Sequence, residues 1–140
     1  MACYLVKSNP NNWRIFDYLR DLGNGEPESW TVSPGVKAGD VLFMGASGEK
    51  AAIIATGVAA SSPAYDTPER DYFVDHRHIK QKPMCKVNSF RNLITNPVTE
   101  AELKKVPELT RVAQWLHIQG GYTVLSDDEF QALERLTAER

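Results

Sequence analysis

Three histidines, two cysteines, one loop-borne tryptophan and one acid-free basic segment are the residues of this 140-residue chain whose types could do chemistry. His76 and His78 stand two apart, so on a strand they would share a face; with His117 they would offer three nitrogens to a metal. The plainer reading is a pair of polar residues on a partly exposed strand, and no metal is expected. Cys85 lies among cations, which would lower a thiol pKa, yet the spacing identifies no partner histidine for it. Cys3 and Cys85 form no metal-like pattern and read as small buried side chains suited to a reducing cytoplasm. No Gly-x-Ser-x-Gly elbow occurs, and Gly45-Ala46-Ser47-Gly48 lacks the Gly-Lys-Ser/Thr that completes a phosphate loop. No catalytic residue and no cofactor are expected.

Binding chemistry fits better. A pocket for a single base needs an aromatic face to stack on and a few fixed polar groups for the base edge. Trp30 follows a polar loop and leads into a strand, where its ring can line a cavity mouth or equally lid the core. Lys7, Ser8 and Asn9 close the first apolar stretch with a charge, a hydroxyl and an amide. Residues 1–75 hold ten acids against six Lys or Arg, and residues 100–140 hold eight against five. Between them, residues 76–99 contain no acid while Arg77, Lys80, Lys82, Lys86 and Arg91 accumulate. That segment is either a footprint for phosphate or a solvated edge kept soluble by its charges.

These residues need elements to hold them. Cys3-Tyr4-Leu5-Val6 reads as an opening strand, and a helix follows Pro10 with Asn11 or Asn12 as its cap. Trp13, Phe16 and Arg20 fall on one side of that helix, beside Ile15, Leu19 and Leu22, so Trp13 reads first as packing. Val41-Leu42-Phe43-Met44 is apolar without alternation, which predicts a strand covered on both faces. Gly45, Ser47 and Gly48 give the reversal its freedom. Ile53-Ile54-Ala55-Thr56-Gly57-Val58 returns as a strand whose small residues leave room for a ligand or another backbone. Residues 71–80, with Tyr72, Phe73, Val74 and Ile79, read as β-like. Thr99-Glu100-Ala101-Glu102 and Ser126-Asp127-Asp128-Glu129 are capping boxes that open helices. Residues 109–115 fit a further short helix, and residues 117–124 a strand broken by a glycine pair. Short strands with small helices between them predict an α+β fold built on a curled sheet or barrel.

Composition is ordinary for one globular domain over residues 1–140, at 42% hydrophobic, 24% charged and a net charge of −2. No apolar run nears the length of a membrane span, no signal peptide is expected, and the cytoplasm is the expected compartment.

In their order these motifs resemble the EVE domain family, a branch of the PUA-like superfamily that includes YTH and ASCH domains. Lys7-Ser8-Asn9-Pro10 matches its opening strand end, Trp13 the aromatic after it, and Trp30 the tryptophan beyond the helix and loop. Gly39-Asp40-Val41-Leu42-Phe43 and the strand from Ile53 match its hairpin. Gln119-Gly120 and Leu125-Ser126-Asp127-Asp128-Glu129-Phe130 match its C-terminal pattern. The chain departs from many members at Thr31-Val32-Ser33-Pro34, where Arg and Asn are common, and at Met44-Gly45-Ala46-Ser47, where Tyr-His-Ser is common. The resemblance implies a PUA-like pseudobarrel of five to six strands with short flanking helices. It implies a non-catalytic module that recognises a modified base, such as methylated cytosine or adenine, in DNA or RNA. Trp30 would stack on the base, and Lys7, Ser8 and Asn9 would offer polar contacts. Thr31, Val32 and Ser33 would form a side wall, and Phe43 and Ser47 would line the hairpin side. Arg77, Lys80 and Lys82 would meet phosphates, an assignment that rests on charge alone. The alternatives are a small ASCH-like enzyme acting on a modified nucleoside, with Lys7 as its nearest candidate, or a small-ligand module on the same fold.

Overall fold

The computed structural model describes residues 1–118 and 120–140; Gln119 of the C-terminal motif lies outside the described residues. The opening strand β1 (Cys3–Ser8) lies parallel to β3 (Val41–Ala46) and antiparallel to the edge strand β9 (Tyr122–Val124). On its other side β3 pairs with β4 (Ala52–Ala59), which continues to β7 (Val87–Asn92) and to the short β8 (Val98–Thr99). A second sheet sets β6 (Lys82–Cys85) between β2 (Trp30–Thr31) and β5 (Ala64–Asp66). The fold is α+β. Six strands form the main sheet, and neither sheet closes on itself among the described residues. The strands beyond the five or six expected are two or three residues long, too short to show a period.

The unbroken apolar run in β3 has the predicted cause. Leu42 and Met44 join a core cluster with Ile15, Tyr18 and Leu19, while Phe43 joins a second cluster. The first cluster is covered by α1 (Ile15–Leu22). The second is covered by α2 (Glu100–Lys104), α3 (Thr110–Trp115) and α4 (Asp127–Ala138). Both capping boxes form, with Thr99 and Ser126 each accepting from the backbone three residues on. Glu129, besides capping α4, takes two hydrogen bonds from the Arg111 guanidinium at 2.7 and 2.8 Å, which ties α3 to α4.

Several local expectations are corrected. Residues 71–80 do not form a strand; they make single 3-10 turns at Arg70–Tyr72 and His76–His78. Asp75 closes the second turn by accepting from the Arg77 backbone at 2.9 Å, a side-chain bond that competes with any sheet pairing. Neither Asn11 nor Asn12 caps the helix. Asn9 accepts from the Asn11 backbone, and its carbonyl takes the Asn12 and Trp13 N–H groups, so a turn precedes α1 and leaves Trp13 outside it. Gly48, at φ +93°, serves the hairpin turn, whereas Gly45 lies within β3, where a Cβ would stand 2.9 Å from Leu116. The space beside Gly57 is filled by Val87, whose Cγ1 a Cβ there would overlap, and the β4–β7 register shifts at the same point.

Candidate functional site

A cavity of about 910 Å³ opens where the end of β1, the turn before α1, β2 and the β3–β4 hairpin converge with the loop after β5, with β6 and with the segment leading into it. Of the residues singled out from sequence, Lys7, Ser8, Asn9, Trp30, Thr31, Ser47, Arg77, Lys80 and Lys82 line it together. Parallel pairing of Ser8 with Ala46 brings the β1 end and the hairpin side by side, and the Ser47 N–H donates to the Ser8 carbonyl at 3.0 Å.

Three residues stand elsewhere. Val32 is 3% exposed within the core, so it gives the cavity no wall. Ser33 is also buried, and its hydroxyl accepts from the Gly35 N–H at 3.2 Å, shaping the turn before Val36. Phe43 lies on the opposite face of β3, edge-on to Phe130 with ring centres 6.2 Å apart. Alternation along the strand puts it there once Leu42 and Met44 face α1.

The wall that sequence reasoning passed over is aromatic. Trp13 and Tyr18 line the cavity with ring centres 4.9 Å apart, and Tyr18 meets Trp30 edge-on at 6.2 Å. Trp13 is fixed by donating its indole N–H to the Glu69 carbonyl at 3.0 Å. Phe90 supports Trp30 from outside the cavity lining, at 5.7 Å. One sequence signal was available for Tyr18. With Ile15 and Leu19 it forms the buried stripe of α1, and a tyrosine at a core position carries a hydroxyl that needs a partner.

Among the described residues that partner is absent. Tyr18 is 7% exposed and Trp30 8%, yet neither the phenol O–H nor the indole N–H of Trp30 makes a hydrogen bond within the protein. Among the described residues no fully buried side-chain polar atom lacks a partner, so both groups keep access to solvent. Burial, then the Glu69 carboxylate, the neighbouring Tyr72 and the Glu28 carboxylate, push the Tyr18 phenol up to about 12. It stays protonated, and so a donor, through the physiological range.

The cations differ in how far they are committed. Lys7 Nζ donates to the carbonyls of Trp115, at 2.8 Å, and of Ile118, and burial lowers its pKa. Arg77 is gripped by Asp75 at 2.7 and 3.0 Å, which raises its pKa. Lys80 and Lys82 remain without a carboxylate partner among the described residues. Burial, then repulsion from Lys80, lowers the Lys82 pKa. At the far rim His117 pairs with Glu100, whose carboxyl is held low chiefly by that hydrogen bond. Among the described residues no three His, Cys, Asp or Glu side chains gather as a metal site requires. Both cysteines are buried, and burial drives the Cys3 thiol up to about 12 and also raises Cys85, the reverse of an activated nucleophile. None of the described helices is long and apolar enough to cross a membrane.

A cavity with an aromatic wall, two open donors and lysines on its lining suits a planar ligand with acceptor atoms and an anionic tail. The EVE domain family matches residues 2–136. No curated protein matches the chain in sequence. The solved structure of human THYN1 in complex with 5-methylcytosine-containing DNA superposes with TM-score 0.64 at 17% identity, covering 97% of each chain. Protein Atu2648 of Agrobacterium tumefaciens gives 0.63 at 16% identity, covering 97% of this chain and 92% of its own. A mutant ASCH protein of Zymomonas mobilis gives 0.60 at 13%, covering 97% and 99%. At these identities the likeness is one of fold, and the fold is PUA-like.

Proposed function

The chain belongs to the EVE domain family, and from that membership we propose that it is a binding module for modified nucleobases in DNA or RNA. The observation that carries the reading is a pair of donors without a partner among the described residues, the Tyr18 hydroxyl and the Trp30 indole N–H, set among the rings of one cavity. A base extruded from its stack would lie against Trp13, Tyr18 and Trp30 and accept from those donors. Ser8, Asn9, Thr31 and Ser47 stand around the same space for further polar contacts. The volume lies near the top of the range for small-molecule pockets, roughly 300–1,000 Å³, and leaves room for the sugar. Lys80 and Lys82 would then meet phosphate. The DNA-bound human THYN1 structure, which shares the fold, supports the ligand class.

The direct test is fluorescence anisotropy with DNA and RNA strands carrying a panel of methylated cytosines, adenines and guanines, each against its unmodified counterpart. Tighter binding of at least one modified strand, weakening as salt rises, is the expected result. Equal binding across the panel would remove the reading.

One observation favours an ASCH-like enzyme acting on a modified nucleoside: the carboxylate-paired His117 lines the same cavity, an arrangement used for general bases. Lys7 argues the other way, since its amine is already bound to two carbonyls. Mass analysis of modified nucleosides after incubation with the protein decides between turnover and binding.

A further inference from the structure

Charge within the cavity is sorted by position. The aromatic wall is bordered by two exposed carboxylates, Glu28 and Glu69, which both line the cavity and both act on the buried Tyr18 hydroxyl. Glu69 is further tied to the wall through its backbone carbonyl, which holds Trp13. Neither carboxylate makes an ion pair among the described residues. The lysines and arginines lining the cavity either serve other groups, as Lys7 and Arg77 do, or lie at the start of β6 and just before it. Arg14 approaches Tyr72 from outside the lining, 5.5 Å from its ring centre, and pairs with Asp17. Asp66, also in the lining, stands opposite Lys82 across β5 and β6. The ring cluster thus has an acidic border, and the two uncommitted lysines stand on another element.

Aromatic faces attract cations through their quadrupoles, and adjacent carboxylates add to that attraction. We infer that the cavity prefers a nucleotide whose base carries a delocalised positive charge, an N-alkylated base such as N3-methylcytosine or N7-methylguanine, with its phosphate toward Lys80 and Lys82. The inference rests on the modified-base reading and narrows it to a charge class. The cationic ring lies against Trp13 and Tyr18 under Glu28 and Glu69, while its carbonyl oxygen accepts from the wall donors.

N3-methylcytosine and 5-methylcytosine are a matched pair: each adds one methyl group to the same base, but near neutral pH only the first is protonated. Otherwise identical single strands carrying one or the other are compared by anisotropy at fixed salt and pH, with the unmodified strand as reference. The expected result is about tenfold tighter binding of the N3-methylcytosine strand. In the Glu28→Gln/Glu69→Gln variant both strands bind with less repulsion from the cavity border, and the ratio between the two affinities falls by at least half its logarithm. Both substitutions are at exposed positions, so the variant should fold, and its thermal melt verifies this. Equal affinity for the two isomers, tighter binding of 5-methylcytosine, or a preference unchanged in the double variant would each overturn the charge inference and leave the modified-base reading standing. If every modified strand binds no better than the unmodified one, the modified-base reading itself fails, and the inference with it.

Discussion

Lys7 Nζ stands 4.1 Å from the centre of the Trp115 indole and donates to the carbonyl of the same residue. It is thus bound both to the end of α3 and to an aromatic face. A lysine expected to touch ligand, and lining the cavity, also clamps β1 to the segment after α3. Replacing it with Met keeps the apolar stem but removes the charge and the donors. We expect a loss of about 1–2 kcal/mol in urea unfolding, the sum of modest hydrogen-bond and cation–π contributions. Amides of residues 115–118 should also exchange faster. Unchanged stability and exchange would return Lys7 to the role of a free ligand contact.

Trp13 should matter to binding more than its place ahead of a helix suggested. Trp13→Ala is expected to weaken capture of the preferred modified strand by roughly 1–3 kcal/mol, the scale of one stacked base. Trp13→Phe, which keeps a ring but drops the bond to Glu69, should retain most of the affinity. Titration of both variants alongside thermal melts separates a lost platform from a lost fold.

The cations on the cavity should differ in their salt signature. Lys80→Ala and Lys82→Ala are each expected to flatten the slope of log affinity against log salt by roughly one. Arg77→Ala should change it less, because Asp75 already occupies the guanidinium. A slope unchanged in both lysine variants would place phosphate elsewhere.

Acid should loosen the tie between α3 and α4 late, because its carboxylate is held below the usual range. Burial alone would raise the Glu129 pKa, but hydrogen bonds from Arg111 and from the Ser126 backbone outweigh it and hold the carboxyl below its usual range. A carboxyl depressed on folding adds stability that is fully present above its unfolded pKa, about 4.3, and is lost as pH falls through the folded value. Glu129→Gln should therefore cost about 1–3 kcal/mol at pH 7, the worth of charged hydrogen bonds. The gap from wild type should narrow as pH drops below about 4. A gap that stays constant from pH 7 to pH 3 in denaturant melts would rule out this pair as an acid-sensitive tie.

What the residues could tell in advance follows from how local each decision is. The capping boxes at Thr99 and Ser126 were legible because four consecutive residues settle them. The two-faced burial of β3 was legible because an apolar run with no polar break has no solvent face. The same run hid which parity meets the cavity, and Phe43 was assigned to the wrong side for that reason. Residues 71–80 carry β-like side chains, but the Asp75–Arg77 contact turns the chain there, a choice that propensity does not register. Gly57 reads as room for a ligand or for another backbone, and only the packed fold reveals that Val87 of β7 fills it. Tyr18 was passed over because a helical stripe reads as packing, and nothing in its spacing says that its hydroxyl would be left without a partner.

That missing partner has a consequence for discrimination. Among the described residues the Tyr18 hydroxyl and the Trp30 N–H have no partner, which leaves them to water. A guest that covers them must replace that water with acceptors of its own, or strand two donors away from any partner. Each stranded donor costs about 1–3 kcal/mol. A guest of the right shape but without acceptors is thus turned away by the wall as much as a fitting one is held by it. Selection of this sort depends on what is absent from the guest, and it needs no contact with the methyl group that marks the base.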